Sequence, residues 1–154
     1  MSAALATLDA RKQIANFVIN EVERRMVLVS GQKPRGYGEE LADFPTYHHF
    51  TPGMYAREIH MSAGSIVTSY VHRYEHPYVV SQGDCFVFTD ALRWQRIVAP
   101  YFGITKAGTR RLLVMSAYTI WTTFHATSTT EIEALEREIF ITPDNPFLRT
   151  EDAA

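Results

Sequence analysis

The chain has 154 residues, 46% hydrophobic and 21% charged, with a formal net charge of −2 at pH 7. That length holds one domain with a sizeable core, and the mixed, near-neutral charge excludes a polybasic binder of nucleic acid or of an anionic membrane. A single cysteine, Cys85, excludes an internal disulfide and points to a reducing, cytoplasmic compartment.

The N-terminus "MSAALATLDARKQ" has no basic start followed by an apolar run, so no cleaved signal is expected, and no segment approaches the length of a membrane span. Ile14, Val18, Val22 and Met26 recur every four positions with Phe17 beside them, which predicts an amphipathic helix over residues 8–29. Such a helix needs a surface to lie against. Residues 30–53 are rich in Gly and Pro and read as a covering loop, with His48 and His49 in capping or surface roles. From Met54 the pattern changes to short strands: 54–61, 65–72, 77–80, 84–89, about 94–98, 111–118 and 119–125. Turn signals at 63–64, 82–84, 99–100 and 107–108 separate most of them, which argues for a mainly β sandwich or barrel. Thr130 and Glu133 then form a capping box, and Ile132, Leu135 and Ile139 give a short helix its apolar stripe. The organisation expected is an N-terminal helix and covering loop over 1–53, a β-barrel over 54–127, and a C-terminal helix and tail over 128–154.

Within the strands, His72-Arg73-Tyr74-Glu75-His76 has the H-x-x-E-H spacing that inverted zinc peptidases place on a helix. The β-branched and aromatic run before it favours a strand, and Pro77 would end a helix at His76, so the peptidase reading fails. A hairpin with a loop of Arg73, Tyr74 and Glu75 is expected instead, with two histidines near its turn.

Read as strands, Gly64, Tyr70, His72, His76 and Gly83 resemble the first motif of the cupin superfamily, with Tyr70 in place of the first histidine and His76 at the glutamate position. Residues 106–111, "KAGTRR", resemble the second motif, with Gly108 kept and Arg111 at the histidine position. More specifically, "HHFTPGMYAREIHMSAGSIVTSYVHRYEH", "KAGTRR" and "WTTFHATSTTEIEALE" resemble small cupin-like proteins found in bacteriophage genomes. The resemblance implies a jelly-roll barrel with a pocket between its sheets, a homo-oligomer paired through those sheets, and no particular reaction.

His125 shares a strand face with Trp121 and Thr123. If that face points inward, His72, His76 and His125 form a three-histidine site suited to a divalent transition metal: Zn, Fe, Ni or Cu. Tyr70, Arg111, Trp121 and Thr123 are then the pocket residues. An inward Arg111 would need an anionic ligand or a carboxylate; the plainer alternative has Arg110 or Arg111 facing solvent or pairing with Glu58 or Glu75. His60 reads as a surface residue and Cys85 as a packed thiol. Three functions follow. The first is a non-enzymatic binding or structural module, phage-encoded, in the host cytoplasm or the virion, docking through its helix on virion proteins or its own copies. The second is a metal-dependent oxygenase or isomerase in which Tyr70 or Glu75 moves a proton. The third is a metal-free sugar or nucleotide binder using Arg111 and the aromatic residues.

Overall fold

The computed structural model of the chain describes residues 3–31 and 44–149. The strand β1 (Thr46–Thr51) leads into β2 (Met54–Met61), followed by β3 (Ile66–Thr68), β4 (Val71–His72), β5 (His76–Gln82) and β6 (Asp84–Phe88). Then come β7 (Trp94–Val98), β8 (Tyr101–Thr105), β9 (Leu112–Met115), β10 (Thr119–Ala126) and β11 (Phe140–Ile141). One sheet has the order β1-β2-β10-β5-β8, the facing sheet has the order β3-β9-β6-β7, and β4 pairs with β11 at one end. After β2 the chain passes repeatedly from one sheet to the other, which is the path of a jelly roll. The cupin-like, mainly β barrel expected from the sequence is the observed fold. Inward residues of both sheets, among them Met61, Val80, Cys85, Val87, Ile97, Leu113 and Met115, make the core between them. Gly83, with φ +114°, turns β5 into β6 against Thr119 of the adjacent strand β10, where a Cβ would lie 2.6 Å from backbone.

Several boundaries differ from the sequence reading for identifiable reasons. Of the expected covering loop, 46–51 is a strand paired to β2, and 32–43 lie outside the described residues. The segment 101–105 is a strand that its flanking Pro100 and internal Gly103 conceal. His72 and His76 do not belong to a paired hairpin: β4 bonds to β11, while β5 lies between β10 and β8. The cap of the C-terminal helix α2 (Ile132–Ile139) is Glu131, whose carboxylate accepts from the N–H groups of Glu133 and Ala134, and not Thr130.

The N-terminal helix α1 (Ala3–Ser30) lies on the outer face of its own barrel, where Ala15 and Ile19 pack with Phe88 and Leu112, flanked by Val18, Val22 and Leu92. Burying Ile19 completely contributes about 1.5–3 kcal/mol. The buried stripe is rotated from the predicted one, so Ile14 and Phe17 face outward at 51% and 62% exposure. The rotation follows from polar residues that sequence rules place in water. Glu23 is fully buried and accepts from Arg110 at 2.8 Å, Arg110 also donates to Asn20 at 2.7 Å and Asn16 at 3.3 Å, and Asn145 donates to Glu23 at 2.8 Å. This network ties helix, barrel and C-terminal tail together. Among the described residues no helix is long and apolar enough to cross a membrane.

Glu23→Ala leaves the Arg110 cation buried without its carboxylate and is expected to lower unfolding free energy by about 3–5 kcal/mol in urea titrations. A loss under about 1 kcal/mol, the range of exposed pairs, would contradict the clamp.

Candidate binding pocket and histidine cluster

Alternation along the strands decides what enters the barrel. On β5, His76, Tyr78 and Val80 are buried; on β10, Trp121 and His125; on β8, Thr105. Between the two sheets lies a cavity of about 440 Å³. Tyr78, Tyr101 and Gly103 line one wall, Val87, Gln95 and Ile97 the other, and Leu8 and Lys12 of α1 complete the lining. Gly103 is required by the Tyr78 ring, because a Cβ there would lie 2.4 Å from the ring.

Arg111 lines the cavity as well. Its side chain is buried, donates to Thr105 Oγ1 at 2.8 Å, and holds its cation over the rings of Tyr78 (5.1 Å) and Trp121 (5.6 Å), which stack on each other at 4.4 Å. Its backbone N–H donates to Ser69 Oγ at 2.9 Å, which fixes the strand entry. Burial lowers the Arg111 pKa, with Tyr78 and Asp90 opposing that shift. Among the described residues no carboxylate forms an ion pair with it. The same burial pushes Tyr78 up to about 12.

Near Arg111 sit three histidines. The rings of His72 and His76 are 4.4 Å apart, those of His76 and His125 4.4 Å, and those of His72 and His125 6.3 Å, with Phe140 of β11 packed on His72 at 5.1 Å. The backbone of His72 is bonded to the β8–β9 turn through Gly108 N–H at 2.8 Å, so the two stretches that carry the cupin resemblance meet here. Burial pulls His72 down to about 2, helped by His76 and Arg111. Burial and His76 bring His125 to about 3, and burial also lowers His76. All three are neutral at pH 7. His76 Nδ1 donates to the Tyr74 carbonyl at 3.0 Å, so its buried, unpartnered Nε2 carries a lone pair, and His72 Nδ1 is also buried without a partner.

A transition metal, which the resemblance to cupins implies, finds a partial donor set. Two neutral imidazoles have a free buried nitrogen, while His125 Nε2 shares a 2.9 Å hydrogen bond with Thr123 Oγ1. No group of three His, Cys, Asp or Glu among the described residues is disposed around one metal position. The guanidinium groups of Arg57 and Arg111 add positive potential at the cluster.

The residues singled out from sequence are distributed as follows. His72, His76 and His125 are together; Arg111 lines the cavity and Trp121 supports it from beneath. Tyr70 packs at 5.5 Å on Phe140 in the cluster with Leu135 and Ile139, away from the cavity, and Thr123 serves His125. Glu75 is exposed, and neither it nor Glu58 pairs with an arginine: Glu58 bonds His49 at 3.2 Å and His60 at 2.6 Å. Arg110 and Arg111 are both buried, contrary to the solvent-facing alternative. His48 lies on β1 and bonds Tyr55 at 2.7 Å. Leu8, Lys12, Asp90, Gln95 and Tyr101 were not singled out from sequence, since they come from separate elements; Gly103 marks a close approach only once 101–105 is known to be a strand.

No family model matches the chain, and no curated protein matches it. Solved structures resemble it in fold. A protein of unknown function from Vibrio parahaemolyticus matches with TM-score 0.50 and 10% identity over 58% of this chain and 95% of its own. The DMSP lyase DddQ from Ruegeria pomeroyi matches with TM-score 0.50 and 13% identity over 63% of this chain and 54% of its own. A cupin superfamily protein from Desulfitobacterium hafniense matches with TM-score 0.48 and 8% identity over 60% of this chain and 84% of its own. At such identities the likeness is one of fold.

Two outcomes test the site. Gly103→Ala drives a methyl group into the Tyr78 ring and is expected to change the near-ultraviolet circular dichroism and to destabilise the fold by about 1–3 kcal/mol; an unchanged spectrum would contradict the contact. For the histidines, folded pKa values lie below the ordinary 6.5, so the unfolded chain binds more protons below that pH. Stability is therefore complete above about pH 6.5 and falls as pH drops toward about 3, by up to about 1.4 kcal/mol per pH unit for each histidine. In metal-free protein the His72 and His125 ring resonances should keep their neutral shifts down to about pH 5, and midpoints near 6.5 would refute their burial.

Proposed function

We propose that this chain is a non-enzymatic binding module of cupin-like fold whose barrel takes a small organic anion. The observation that carries the reading is Arg111, a buried cation lining a cavity of about 440 Å³ with no ion-pairing carboxylate among the described residues. A guanidinium removed from water without a countercharge is costly, and stacking on Tyr78 and Trp121 offsets part of that cost. A carboxylate or phosphate on the ligand supplies the rest, because its two oxygens match the planar N–H fork of arginine. The volume falls in the range of small-molecule sites. A virion role mediated by a helix docking elsewhere is less well supported, since the buried face of α1 is already committed to its own barrel.

A second reading, a metal-dependent enzyme, is favoured by one observation: the unpartnered buried nitrogens of His72 and His76 beside His125. On that reading elemental analysis finds stoichiometric transition metal, lost from the His72→Ala/His125→Ala double variant. Metal-free protein that takes up no added cobalt or zinc would end it.

The anion reading is tested by thermal shift and calorimetry against a panel of carboxylates, sugar acids, inorganic phosphate and phosphate esters. Binding by the wild type should weaken at least about tenfold in Arg111→Met and recover only partly in Arg111→Lys, which keeps the charge and loses the fork. Equal binding in wild type and Arg111→Met, or no binding at about 1 mM by any member, would overturn it.

A further inference from the structure

We infer that α1 is part of the binding site, and that Lys12 on it is a second recognition group, so that the preferred ligand is a small dicarboxylate spanning from Arg111 to Lys12. The inference rests on the anion reading and deepens it. Leu8, Lys12, Ala15, Ile19 and Glu23 follow one another at helical spacing on a single stripe of α1. The lower part of that stripe docks the helix through Ala15, Ile19 and the Glu23–Arg110 pair. Its upper part, Leu8 and Lys12, lines the cavity.

The position of Lys12 is that of a contact residue and not of a solvated charge. It is half-buried between exposed Arg11 and Gln13, and it reaches across to the β8–β9 turn, where a Cβ on Gly108 would stand 3.1 Å from its Nζ. A lysine free to extend into water gains side-chain entropy by doing so, so folding down onto a neighbouring element is informative. Among the described residues no carboxylate pairs with Lys12.

Charge around the cavity is consistent with two anionic ends. Lys12, Lys106 and Arg111 line it against one carboxylate, Asp90, which acts on Arg111 without forming an ion pair. Arg111 and Lys12 come to the lining from separate elements, with the apolar side chains of Val87 and Ile97 on one wall. A ligand with carboxylates at both ends of a short apolar chain satisfies all three regions. A compact phosphate carries its charge at one point and leaves the apolar wall unmatched.

The test uses the full chain and calorimetric titration with monocarboxylates and dicarboxylates of matched length, from four to six carbons, and with inorganic phosphate. Wild type is expected to bind the best dicarboxylate about tenfold or more tightly than its matched monocarboxylate. Lys12→Met should erase that difference while leaving monocarboxylate affinity within about twofold, and Lys12→Arg should keep it. Lys12→Met weakening both ligands equally, or neither, overturns the role of Lys12 and leaves the Arg111 pocket standing. Phosphate bound as tightly as the best dicarboxylate overturns the two-ended ligand. Wild-type failure to bind any of them removes the pocket reading itself. An unchanged urea midpoint for Lys12→Met confirms that the variant is folded.

Discussion

Two adjacent arginines just before β9 send their side chains into different surroundings, and much of the molecule is organised around where their charges go. Arg110 points outward and meets Glu23, Asn16 and Asn20 of α1. Arg111 points inward over Tyr78 and Trp121. What differs is the partner each cation finds. The outer one has a carboxylate and amides, so it is a structural clamp; the inner one has a hydroxyl and two ring faces and, among the described residues, no ion-pairing carboxylate.

The clamp also sets the reach of the helix. With Glu23 held at one end of its stripe and Ile19 buried against Phe88 and Leu112, the same face of α1 brings Leu8 and Lys12 to the cavity lining. Asn145 donates to the same carboxylate and Phe147 meets Phe17 edge-on at 5.6 Å, so the C-terminal tail braces the helix. The appended segments are therefore joined to the barrel by directional polar contacts, which fix an orientation that apolar packing alone leaves looser.

The histidine cluster illustrates how burial sets chemistry. Each ring loses its water to neighbouring aromatic residues, and the two nearby guanidinium groups add a further penalty against protonation. Three imidazoles that would titrate near neutrality at a surface are held neutral, as lone-pair donors and hydrogen-bonding groups. Their neighbour Phe140 arrives from β11, after α2, so the C-terminal helix contributes to the site by placing one ring on it.

Local pattern in the sequence determined the element types that depend on local physics: a long helix near the start, short alternating strands from Met54, a capped helix near residue 132, and the exclusion of a helix through His76 by Pro77. It also marked His72, His76 and His125 as residues able to converge, because strand parity and the partial cupin motif are both visible in one dimension. The strand 101–105 was hidden because its punctuation by Pro100 and Gly103 is a local signal for loops that sheet pairing overrides. Burial of Glu23 and Arg110 was hidden for a deeper reason. A charged residue reads as exposed unless its partner is known, and the two are far apart in the chain. Only the tertiary structure decided which face of α1 is buried, that Arg111 lines a cavity with no ion-pairing carboxylate among the described residues, and that Lys12 lines the same cavity, since each is a relation between distant segments that no local periodicity encodes.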